Sequence, residues 1–158
     1  MTSRTPAALT ATAVLLAVTA CGQSPESPSD PVDGLAAWAA DTLPIPAEGG
    51  FSMAGSTGAD GSRATGSTSD VEPGWYAVTM ACAATDPGTG TQRSSGQIRL
   101  SGEHGAYGEG ECGGSPVTTT LRFGTSEDAM PETVTVAAEA DGHELFWGVS
   151  ASPTTAPE

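Results

Sequence analysis

Gly74-Trp75-Tyr76-Ala77-Val78-Thr79-Met80-Ala81-Cys82 is the stretch of this chain that says most about its fold. Tyr76, Val78, Met80 and Cys82 recur at every second position, and side chains two apart on an extended chain share a face. The stretch therefore reads as a strand with one buried face. The pattern returns downstream. Gln97-Ile98-Arg99-Leu100 alternates with Ile98 and Leu100 inward. Residues 106–112 form a Gly-rich extended run. Val117, Thr119, Leu121 and Phe123 fall in one phase, and residues 133–138 and 144–149 complete the series. Leu145, Trp147 and Val149 share a face. Asp86-Pro87-Gly88 opens a turn, and Asp141-Gly142 is a hairpin signal between the last two runs. Short alternating runs separated by turns predict an all-β sandwich, jelly-roll-like.

Upstream the signals are different. Leu35, Trp38, Ala39 and Leu43 fall near helical spacing, with Asp33 as a cap and Pro44 and Pro46 as a stop. Phe51–Ala54 reads as a strand. Gly55–Asp70 is a Gly/Ser/Thr tract with almost no large apolar residue, and is expected to be a loop. Gln23–Asp33, rich in Pro, Ser and acid, is expected to be an unstructured spacer. The expected organisation is a signal at 1–20, a linker at 21–33, a domain at 34–151 that is loop-rich over 51–70, and a frayed tail at 152–158.

Arg4 precedes an uncharged run from Ala7 to Ala20, too short to span a bilayer but of signal-peptide length. The run ends Val18-Thr19-Ala20-Cys21-Gly22, which resembles the bacterial lipobox. The resemblance implies cleavage before Cys21 and lipid attachment to it, leaving the chain outside the cytoplasm on the outer face of the membrane. Several acyl chains together anchor stably where one does not. Three cysteines would leave an odd thiol in an exported protein. With Cys21 lipidated, Cys82 and Cys112 remain as a natural disulfide pair in an oxidising compartment.

The chain also resembles a loose group of small actinobacterial lipoproteins. Gly74 and Tyr76 at a strand start, Cys82 at its end, Cys112-Gly113, and the late Trp147 carry the likeness. These are structural residues, so the resemblance implies a fold and no activity.

Nineteen acids face five arginines among 158 residues, and lysine is absent. Arg4 lies in the signal, so the part from Cys21 onward sets four arginines against nineteen acids, a net of −15. A phosphate backbone needs cationic contacts, so nucleic acid is excluded as a partner. An anionic lipid surface would repel the domain, so the anchor itself must hold it there.

No catalytic set stands out. Two histidines, no Gly-x-Ser-x-Gly and no lysine leave little for a hydrolase or a Schiff base. The expectation is a non-catalytic module without cofactor. Gly108-x-Gly110-x-x-Gly113 matches a dinucleotide fingerprint by letters only, because no helix follows it. Glu103, His104, Glu109 and Glu111 form a candidate cation cluster, with oxygen and imidazole ligands but no recognised metal spacing. The plainer account is solvated charge on strand edges. Trp75 and Tyr107 are candidate ligand-stacking aromatics; alternatively Trp75 packs under residues 55–70 or the Trp38 segment. The expected role is binding an envelope protein or glycan. The alternatives are a structural or accessory envelope subunit and a cation-binding protein.

Overall fold

The structure, a computed structural model, describes residues 31–85, 96–113 and 115–157. The expected signal at 1–20, Cys21, most of the expected spacer and the expected turn at Asp86 lie outside the described residues. One helix, α1 (Pro31–Thr42), precedes eight strands. These are β1 (Phe51–Ser56), β2 (Ala64–Val71), β3 (Gly74–Ala84) and β4 (Gly96–Gly102), then β5 (Tyr107–Glu111), β6 (Val117–Phe123), β7 (Glu132–Ala140) and β8 (Leu145–Thr154).

The strands form two antiparallel sheets, ordered β1-β8-β3-β6 and β2-β7-β4-β5. This is the strand order of a jelly roll, two Greek keys wound into a double sheet. Consecutive strands change sheet at every step except β4 to β5. The core lies between the sheets and is built from the alternating positions. Tyr76, Val78, Met80 and Cys82 of β3 are buried, as are Ile98, Leu100, Val134, Val136, Leu145, Trp147 and Val149. Cys82 and Cys112 are joined as a disulfide, with their Cα atoms 4.7 Å apart. The bond ties the end of β3 in one sheet to the end of β5 in the other.

Four expectations are corrected. Residues 51–70 are not loop-rich: β1 and β2 occupy most of them. The tract lacks large side chains because Trp147 fills the space. A Cβ at Gly55 or at Gly66 would sit 2.7 Å from the indole, so only glycine admits the ring there. Residues 152–154 are not a frayed tail. They extend β8 and pair with Trp75–Ala77 of β3. The Asp141-Gly142 turn joins strands of different sheets and closes no hairpin. Gly142 adopts φ 74°, which makes the turn tight. Turn chemistry reverses the chain but does not choose the strand's partner. Finally, the linker boundary falls earlier than 33, since the helix starts at Pro31. Proline suits a first helical position, where its missing N–H would have had no partner.

Helix α1 lies on the outer face of β8. Trp38 meets Phe146 at 5.9 Å between ring centroids, and Leu43 presses on Gly148, where a Cβ would be 2.6 Å away. Ser150 Oγ donates to the Pro44 carbonyl at 2.6 Å, and the Ala47 N–H donates to Ser152 Oγ at 3.0 Å. The helix and its exit segment thus cover part of this sheet's outer face.

Candidate functional site

Alternation that buries Tyr76 turns Trp75 outward, onto the outer face of the sheet that carries α1. Trp75 is paired in register with Arg122 of β6 on one side and Thr154 of β8 on the other. It is half-buried, and the cleft beside it is lined by neither residues 55–70 nor the Trp38 segment. Its ring flanks a cleft of about 400 Å³, whose lining includes Pro73, Arg122, Glu127, Thr154 and Thr155. The Arg122 guanidinium carbon lies 5.9 Å from the Trp75 ring centroid, at the outer limit of a cation–π contact. Arg122 makes no salt bridge among the described residues.

Each wall of the cleft has a support. Pro73-Gly74 turns the chain into β3, and the Tyr76 hydroxyl donates to the Glu72 carbonyl at 3.2 Å. That link across four residues has the form of a tyrosine corner. Tyr76 itself packs edge-on against Phe123 at 5.2 Å and lies 6.2 Å from Phe51. Burial pushes the Tyr76 phenol above its ordinary value, and the nearby Glu72 carboxylate adds to the shift.

The loop that carries Glu127 leaves β6 at Gly124. There φ is 74°, and a Cβ would stand 2.7 Å from Pro73, so glycine is required twice over. The loop is held from inside by Glu132, only 2% exposed. One Glu132 oxygen accepts from the Gly124 N–H at 3.1 Å. The other accepts from the His104 N–H at 2.9 Å and contacts His104 Nδ1 at 2.7 Å. A buried carboxylate needs such partners, and here they clamp the β4–β5 turn to the β6–β7 loop.

Glu132 was not among the expected site residues. It is in phase with Val134, Val136 and Ala138, and that parity puts it on the inner face. Arg122 likewise shares parity with outward Thr118 and Thr120, so its place beside Trp75 follows once β3 and β6 are paired.

The cation cluster does not assemble. Glu103 Oε2 accepts from the Thr133 N–H at 3.3 Å, and His104 is engaged with Glu132. Glu109 and Glu111 project from the outer face of β5, as alternation requires. Glu109 accepts from the Tyr107 hydroxyl at 2.7 Å, and this bond raises the Tyr107 phenol above its ordinary value. Among the described residues no three His, Cys, Asp or Glu side chains converge to hold a metal ion. His143 contacts the Asp141 carbonyl and Glu144 accepts from Thr85, so neither joins the set.

Tyr107 is 54% exposed, but it belongs to the other sheet and faces away from Trp75. The two aromatics therefore do not form one site. An apolar groove between the end of α1 and β1 is a further feature, lined by Leu43, Ile45 and Met53, with Ile45 93% exposed. The chain matches no protein-family model and no curated protein.

Proposed function

We propose that this chain is an extracytoplasmic lipoprotein whose jelly-roll domain binds glycan without catalysis. The observation that carries the binding reading is the cleft at Trp75. An indole gives a sugar ring an apolar face to lie on, and its quadrupole favours the C–H bonds of that ring. Arg122, Glu127, Thr154 and Thr155 supply donors and acceptors for hydroxyl groups around it. A volume near 400 Å³ suits one or two sugar rings. Ligands that bind the folded state raise the melting temperature with concentration. The full chain should therefore show a saturable rise with peptidoglycan fragments or a common polysaccharide, and Trp75→Ala should abolish it. A flat response to every glycan would overturn the reading.

Location rests on the Val18–Gly22 motif, and the Cys82–Cys112 disulfide fits an oxidising compartment. Cys21→Ser should be found mostly in the soluble fraction of expressing cells. If that variant stays firmly with membranes, the lipid anchor is wrong.

A protein partner is the second reading, favoured by the Leu43–Ile45–Met53 groove. An isoleucine this exposed in a strip of apolar neighbours is what a docking surface offers.

A further inference from the structure

We infer that the glycan bound at Trp75 carries a carboxylate, held by Arg122; this rests on the glycan-binding reading above. The domain is strongly acidic, yet a cation stands at this cleft. Of the three described arginines, Arg63 is paired with Glu139 at 3.4 Å, and Arg99 donates to Gln97 at 2.7 Å. Among the described residues Arg122 forms no salt bridge, and its guanidinium carbon lies 5.9 Å from the Trp75 ring centroid. Glu127 lines the same cleft without pairing to it.

The Arg122 guanidinium stands 5.9 Å from the Trp75 centroid with no described carboxylate on its N–H fork, and that fork matches a carboxylate with two parallel hydrogen bonds. A sugar seated on Trp75 would place its substituents next to that fork. Thr154 and Thr155 offer hydroxyls for the remaining positions. Glu127 accepts from sugar hydroxyls and disfavours a second anionic group.

The surrounding charge narrows the class further. A net of −14 repels a polyanion that comes within about a Debye length. One carboxylate on an otherwise neutral sugar suffers far less from that field. The ligand class is therefore a pyranose with a single carboxylate, either at C6 of a uronic acid or on a lactyl ether of an amino sugar.

Two matched pairs separate these sources. Methyl glucuronide and methyl glucoside differ only in carboxylate against hydroxymethyl. N-acetylmuramic acid and N-acetylglucosamine differ only in the lactyl ether. Each would be titrated into the isotopically labelled full chain, following the Trp75 indole N–H and the Arg122 guanidinium by NMR. In at least one pair the acidic sugar should bind about tenfold more tightly than its neutral partner. The pair that does so identifies the carboxylate's source. Arg122→Gln should erase that preference, and Arg122→Lys should restore only part of it, because an ammonium lacks the fork. Arg122 is exposed, so both variants should fold.

Equal binding of acidic and neutral sugars at Trp75, unchanged by Arg122→Gln, overturns the carboxylate inference and leaves glycan binding standing. No response at Trp75 to any of the four sugars overturns both.

Discussion

Tyr76 serves two parts of the molecule at once. Its ring fills the core between Phe51 and Phe123, while its hydroxyl reaches back to the Glu72 carbonyl and fixes the corner from which Trp75 departs. Removing the hydroxyl with Tyr76→Phe keeps the ring and should cost about 1 kcal/mol of stability in urea unfolding. The variant should also change the response to alkali. Burial raises the Tyr76 phenol above its ordinary 10.0, so the folded state holds the proton more tightly than the unfolded chain does. The resulting stability is complete below pH 10, and is lost as pH rises through the higher folded value. Wild-type protein should therefore lose stability steeply above pH 10, and Tyr76→Phe should lose less over the same range. With only two tyrosines in the chain, Tyr107→Phe is the natural control. If wild type and Tyr76→Phe decline in parallel, the alkaline loss has another source.

At the scale of elements, legibility followed side-chain size. β3, β4, β6 and β8 could be read because Tyr, Val, Ile, Leu, Phe and Trp mark every second position, and that period is what a half-buried strand requires. β2 could not. Its inward positions are Ala64, Gly66 and Thr68, small residues whose apolar partner lies on another strand. Trp147 supplies the bulk for β1 and β2 as well as its own strand, so a tract without large residues is the imprint of one large residue elsewhere. Sheet membership was hidden for a related reason. Alternation tells which face is buried, but in a sandwich both sheets bury an inner face, and the period is the same for each. The jelly-roll order is a property of long-range pairing. For the cleft, the sequence revealed Trp75 as outward but not its neighbours. Arg122 and Thr154 become neighbours only through pairing with β3. Thr154 and Thr155 looked like tail because nothing apolar continues the alternation beyond Ala151.

Such pairing makes the whole molecule depend on contacts between distant parts of the chain. Only β4 and β5 pair with a sequence neighbour in the same sheet, so nearly every other ladder closes a long loop. β5 is also an edge strand, hydrogen-bonded to β4 alone, and short at five residues. The Cys82–Cys112 bond anchors its far end to the central strand of the opposite sheet. Around it, the Gly113 N–H donates to the Cys82 carbonyl at 3.0 Å and the Cys112 N–H donates to the Gly96 carbonyl at 2.9 Å. With the cysteines 30 positions apart, the closed loop should contribute about 3–4 kcal/mol in the chain-entropy model. Replacing both cysteines by alanine should then lower the melting temperature by about 10–15 °C. The loss should also be uneven. Amide hydrogens of β5 should exchange faster in the double variant by a larger factor than those of β3 or β8, which keep two strand partners each. A uniform change in exchange would mean that the bond acts only on the unfolded chain. An unchanged melting temperature would mean that β5 is held by its ladder and by the contact of Gly108 with Met80 and Leu121, without need of the disulfide.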